Sequence, residues 1–190
     1  IDLSPSPYLT GLSKRYPEVF ARAGSEPIDT LVQAECFALP ANISSQPELM
    51  KQLREAKNKL ALLIAIADLS GVWPLEQVTR TLSEFADYAL SQTPNFLLRE
   101  AAKRGEITLK TPENPSLESG IIILGMGKLG GFELNYSSDI DLILFFEENT
   151  LAYSGRGSEQ KFMNKLAQDI VSIMQERTAE GYVFRTDLRL

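Results

Sequence analysis

The chain has 190 residues, enough for one domain or two small ones with a real buried core. Its net charge of −6 and 44% hydrophobic content fit a soluble globular protein and exclude a dedicated nucleic-acid surface, which needs clustered Lys and Arg. There is no histidine, which excludes His-ligated zinc and Ser-His or Cys-His nucleophile pairs and leaves any chemistry to carboxylates, lysines and arginines.

The single cysteine, Cys36, has no partner for an internal disulfide, and no signal peptide or membrane-spanning apolar run is visible. Cytoplasm is the expected compartment, with no membrane partner. Ile1 is not an initiator residue and the last residues read as a strand, so the chain is expected to be a piece of a longer protein.

Residues 5–104 are helical in pattern. Two helices are expected near 9–22 and 28–38. Leu49, Leu53, Ala56, Leu60, Leu63, Ile64 and Ala67 then share one face of a helix that Gly71 ends. Pro74 suits a new first turn, followed by the stripe Leu75, Val78, Leu82, Phe85 and Ala89. Cys36 and Trp73 read as packing residues. Gly105, Pro112, Pro115 and Gly120 mark residues 105–120 as a loop between a helical region (1–104) and an α/β part (121–190). That part reads as strand 121–126, helix near 128–136, strand 139–147, helix 158–179 with the stripe Phe162, Leu166, Ile170, Ile173 and Met174, and strand 182–190. The fold class expected is therefore α+β with a small sheet after the helical region.

The most informative stretch is Ser137-Ser138-Asp139-Ile140-Asp141-Leu142. Side chains alternate across a strand, so Asp139 and Asp141 project from one face while Ile140 and Leu142 turn to the core. Two carboxylates held that close repel, and a divalent cation is their usual partner. They could instead be solvent-facing acids on an amphipathic strand, although Asp is disfavoured within strands. Upstream, Gly125, Gly127 and Gly130 follow the apolar run Ile121–Leu124 and match the dinucleotide fingerprint G-x-G-x-x-G. Against that reading, the gap from Gly130 to Asp139 is too short for a crossover helix between parallel strands, and the fingerprint needs one acid at the end of the second strand. A tight turn is the plain alternative.

At the end of the chain Arg185, Asp187 and Arg189 share a face by period two, either as a surface ion-pair ladder or as a third carboxylate with phosphate-directed guanidinium groups. Lys128 could meet a nucleotide phosphate or be solvated. Glu133 could pair structurally or touch ligand. Ser137 and Ser138 could be turn residues or phosphate donors.

Residues 125–143, Gly-Met-Gly-Lys-Leu-Gly-Gly-Phe-Glu-Leu-Asn-Tyr-Ser-Ser-Asp-Ile-Asp-Leu-Ile, closely resemble the signature of the glutamine synthetase adenylyltransferase family, and 184–190 resemble its third-carboxylate strand. The likeness is strong over 121–148 and 182–190, and general in the helical region. It implies a nucleotidyltransferase core of the DNA polymerase beta type, incomplete at its C-terminal end. Asp139, Asp141 and Asp187 would be catalytic and would ligate Mg²⁺ or Mn²⁺. Gly127, Lys128, Gly130, Ser138, Arg185 and Arg189 would face nucleotide and phosphate. Asn135 and Ser137-Ser138 are more similar to the family's AMP-removing domain, which releases ADP by phosphorolysis of adenylylated glutamine synthetase, than to its ATP-dependent adenylylating domain. Lys128 departs from the wider superfamily, where serine often follows the glycine. The partners implied are glutamine synthetase, ADP or ATP, phosphate, and a nitrogen-signalling regulatory protein. The rivals are the adenylylating domain, a Rossmann-like dinucleotide domain, and a non-catalytic docking module.

Overall fold

The computed structural model describes residues 1–40 and 42–189, Arg189 by its backbone alone. Its architecture is α+β, with seven helices and two small sheets among the described residues. Helices α1 (Pro7–Arg15) and α2 (Pro17–Arg22) replace the single helix expected over 9–22. Pro17 has no N–H to continue α1, and Tyr16 before it leaves helical geometry at φ −123° and ψ 60°. Helix α3 (Ile28–Cys36) follows, then α4 (Gln46–Leu69), which buries the whole predicted stripe and stops where Gly71 takes φ 68°.

Helix α5 (Leu75–Lys103) runs well past Ala89 and through Pro94. A proline there removes one rung of the helical ladder. Burial of Phe96, Leu97, Leu98 and Ala101 on its far side keeps the helix together.

The loop expected over 105–120 contains a short strand, β1 (Ile107–Thr108), paired antiparallel with β4 (Ala152–Tyr153). Two residues are too few for a period-2 signal, so the sequence hid both. The second sheet has three strands. Strand β2 (Ile121–Met126) is antiparallel to β3 (Ile140–Phe146), and between them lies α6 (Gly127–Gly130), a single turn instead of the helix expected near 128–136. Phe132 at φ 57° and the turn over Tyr136–Ser137 end helical geometry there.

Helix α7 (Glu159–Gln175) crosses back so that β5 (Thr186–Arg189) lies parallel to β3. It stops short of 179 because Glu176 is extended, and residues 182–185 precede the strand without joining it. Leu190, in the strand expected over 182–190, lies outside the described residues.

One buried cluster runs through both halves, from Leu60, Leu63, Phe85 and Leu98 to Ile140, Leu142, Ile173 and Val183. No described helix is long and apolar enough to cross a membrane.

Polar contacts also cross the joint between the halves. Arg54 of α4 is completely buried and meets only backbone carbonyls. Its Nε donates to Gly181 O at 2.9 Å, Nη1 to Met50 O at 2.8 Å, and Nη2 to Ile173 O at 3.0 Å and to Glu176 O. One turn on, Asn58 Nδ2 donates to Glu180 O at 3.0 Å. The last carbonyls of a helix have no partner within it and carry partial negative charge. Arg54 therefore caps α7 from another helix and fixes the turn that leads into β5. Burial lowers its pKa, with the nearby Glu176 and Glu180 charges opposing that shift.

Arg54→Met keeps the bulk and strands these carbonyls. It should cost about 3 kcal/mol of unfolding free energy, read by urea denaturation. A loss below about 1 kcal/mol would show that water takes over the cap.

Lys57, one turn from Arg54 on the same helix, has its pKa pushed down to about 8 by burial, from an ordinary 10.5. Between those values the unfolded chain binds more protons than the folded one, so this group makes stability rise with pH across that window. Cys36, pushed up to about 12 by burial, acts oppositely above pH 9, so the difference between wild type and Lys57→Met isolates the lysine. Lys57→Met should be the more stable protein at pH 7 and lose that advantage by pH 10.5. A difference that stays constant with pH would contradict the shift.

Candidate active site

The glycine turn between β2 and β3 is shaped by close approach. A Cβ at Gly125 would meet Leu129 Cγ at 2.7 Å, and one at Gly130 would meet the Gly125 carbonyl oxygen at 2.6 Å. Two of the three fingerprint glycines therefore let α6 fold back on the end of β2. Gly127 differs. It has φ 54°, and a Cβ there would sit 3.6 Å from Asp141 Oδ2, so the bare backbone of the turn lies over that carboxylate. The antiparallel pairing of β2 with β3 removes the dinucleotide reading, because that fingerprint joins parallel strands through a full crossover helix.

Register brings the acids together. Asp141 lies opposite Met126 on one side and beside Asp187 on the other, and residues in register on neighbouring strands share a face. Asp139 sits one residue before β3. Its Oδ1 accepts from Arg185 Nε, while Arg185 Nη2 donates to Ser137 O at 2.9 Å. The backbone adds a tie, Ile140 N to Arg185 O at 2.9 Å. Bonding to Asp139 raises the pKa of Arg185, and both side chains are more than half exposed. Ile140 and Leu142 are buried on the opposite face, as period two requires.

Among the described residues no three acidic side chains converge on a cation position as they stand. Asp141 and Asp187 flank each other, and Asp139 is engaged by Arg185. The face continues over Ile122, Leu124, Met126 and Phe145, all exposed, so the acids stand at the edge of an apolar strip.

The remaining predicted residues divide. Lys128 and Glu133 are exposed, and Lys128 has no ion pair among the described residues. Ser138 is a turn residue: its Oγ donates to Asn135 Oδ1 at 2.9 Å and accepts from Asn135 N at 3.2 Å. Arg189 pairs through its backbone with Ile143, and its side chain lies outside the described residues.

Sequence reasoning missed what holds the stretch between turn and acids. Leu134 is fully buried and its N–H donates to Ser83 Oγ on α5 at 3.3 Å. Tyr136 donates its hydroxyl to Asp68 Oδ2 on α4 at 2.9 Å. The available signal was Ser83, a polar residue set within the buried stripe of α5.

Fold and site together define an α+β domain whose three-stranded mixed sheet presents three carboxylates and an arginine at one end. The chain belongs to the glutamate-ammonia ligase adenylyltransferase family, whose model matches residues 3–190. It is 41% identical over 189 residues to the bifunctional glutamine synthetase adenylyltransferase/adenylyl-removing enzyme of Mesorhizobium japonicum, covering 97% of this chain and 19% of that protein. The enzymes of the same description from Rhodopseudomonas palustris strain CGA009 (42% over 190 residues) and Agrobacterium fabrum (41% over 193 residues) match over the same shares of each chain. The chain thus spans about a fifth of the length of these relatives.

Gly130→Ala drives a Cβ into backbone and should destabilise the fold by about 2 kcal/mol, whereas Gly131→Ala, whose Cβ would meet nothing closer than 3.5 Å, should change little. Thermal melts of the two variants check this. Equal losses would mean that the turn, not the close approach, demands glycine.

Proposed function

We propose that this chain carries a metal-dependent nucleotidyl-transfer site of the DNA polymerase beta type acting on glutamine synthetase, and that its reaction is phosphorolytic removal of AMP from an adenylylated tyrosine, giving ADP. The observation that carries the reading is the register of Asp141 beside Asp187, with Asp139 two residues before Asp141. The relatives' description as bifunctional adenylyltransferase/adenylyl-removing enzymes supports nucleotidyl transfer on glutamine synthetase, and the likeness of Asn135 and Ser137-Ser138 to the removing domain favours removal. In this reading residues 1–104 form the helical unit, 105–120 the connection, and 121–190 the transferase core.

Asp139, Asp141 and Asp187 offer only hard oxygen donors, which suits Mg²⁺ or Mn²⁺, once Asp139 exchanges Arg185 for the ion. Such an ion would neutralise charge developing on the transferred phosphoryl group and on the leaving oxygen. Arg185, freed from Asp139 but still bound to Ser137 O, holds the incoming phosphate. A phosphate oxygen bonds to the AMP phosphorus as the bond to the tyrosine oxygen breaks, and the tyrosine takes up a proton. Phosphate needs little activation by a base, so the lack of histidine is no obstacle. Lys128 and the backbone at Gly127 and Gly130 face the nucleotide phosphate, with Ser138 and Arg189 completing the contacts.

In the whole protein, Asp141→Asn should lower phosphate-dependent ADP release from adenylylated glutamine synthetase at least about 100-fold, a loss of about 2.7 kcal/mol of transition-state stabilisation. ATP-dependent AMP addition should stay intact. Loss of addition with removal preserved would assign this site to the adenylylating reaction, and activity within about tenfold of wild type would remove Asp141 from the chemistry.

A further inference from the structure

A second concavity lies away from the carboxylate face, between α4, the N-terminal end of α1, and the segments 136–138 and 177–184. Its volume is about 550 Å³. The charges around it are unevenly matched. Of its carboxylates, Asp68 accepts the Tyr136 hydroxyl at 2.9 Å, and Glu180 accepts the Thr178 hydroxyl at 3.1 Å and an ion pair from Arg15 at 3.6 Å. Of its cations, neither Lys57 nor Arg177 has an ion pair or a side-chain hydrogen bond among the described residues.

Lys57 is held among apolar groups, its Nζ 5.2 Å from the centre of the Phe184 ring. A partly buried ammonium with a ring face beside it and no ion pair among the described residues is poorly compensated for lost hydration, which agrees with its pKa being pushed down to about 8. A helix position that needed only packing would be served better by leucine or methionine. The unmatched charge therefore asks for a counter-ion from outside the chain.

We propose that this cavity is a binding site for a small anion, with Lys57 as its principal contact and Arg177 as its second. The site neither uses the carboxylates nor depends on the transfer reaction assigned to them. It does share a wall with them, since Ser137 and Ser138 line the cavity and the Ser137 carbonyl accepts from Arg185 on the other side. An occupant would brace the 136–138 segment immediately before Asp139.

The test is calorimetric titration of the full chain, at constant ionic strength in chloride, with inorganic phosphate, AMP and malonate as probes. Wild type should bind at least one of them. Lys57→Met should weaken that binding at least tenfold and Arg177→Gln should weaken it measurably, while Asp141→Asn leaves it unchanged. Phosphate and AMP binding without malonate would identify a phosphate-bearing occupant, and malonate binding a carboxylate-bearing one; either supports the site. The proposal fails if none of the probes binds, if Lys57→Met binds like wild type, or if Asp141→Asn changes the affinity as much as Lys57→Met does. Thermal melts confirm that each variant is folded, and binding lost in Arg177→Gln but kept in Lys57→Met would also overturn the assignment.

Discussion

The guanidinium of Arg54 is the contact on which the rest of the arrangement depends. Asp187 stands beside Asp141 only because β5 leaves the turn after α7 in one register, and that turn is held by hydrogen bonds from α4 to the carbonyls of Ile173, Glu176 and Gly181. Among the described residues the cation has no ion pair; Glu176 and Glu180 act on it only through their nearby charge. Its compensation comes from aligned carbonyl dipoles at a helix end, which a planar fork of donors can satisfy together and a lysine could not. A shift of one residue in the turn would put Asp187 on the buried face with Leu188 on the open one, since strand side chains alternate.

The helical region is therefore part of the site's construction. Both halves of the acid pair are tied to it: β5 through Arg54 and Asn58, and the approach to β3 through Leu134 at Ser83 and Tyr136 at Asp68. These are polar contacts across a seam whose remainder is packed hydrocarbon, including Phe85 of α5 against Phe184 at 6.3 Å. Burial supplies the affinity between the halves, and the directional bonds choose the alignment.

Much of this was legible in the sequence, and the limits are physical. The stripe of α4 and, apart from the exposed Leu75, that of α5 could be read because burial on one side imposes a period of 3.6 over many turns. Period two likewise put Asp139 and Asp141 on one face. What could not be read was pairing at a distance. The short gap after Gly130 argues against parallel pairing of β2 and β3, but nothing local says that Asp187 registers with Asp141 or that Arg185 spends its charge on Asp139. The roles of the glycines were left open for a related reason. Gly125 and Gly130 match a phosphate-binding fingerprint, yet both spacings are accounted for by Leu129 and by the Gly125 carbonyl. Arg54 was hidden by composition, since a buried arginine satisfied only by backbone leaves no complementary residue type to find.

The pairing of Arg185 with Asp139 bears on how the proposed site would take up its ion. It is an exposed contact, and exposed ion pairs are weak because water screens them, so exchanging it for a metal–carboxylate contact would cost little. The exchange would not release the arginine to solvent. Its second nitrogen remains on Ser137 O, and the backbone bond from Ile140 N to Arg185 O fixes the residue beside β3 regardless of where the side chain points. In the proposed site a guanidinium tethered in this way would be a placeholder, neutralising the acid before a cation arrives and staying within reach to meet an incoming anion. Lysine could make the first contact as a point charge. It lacks the second donor, set at a fixed angle, that keeps the group in place when the first contact is lost.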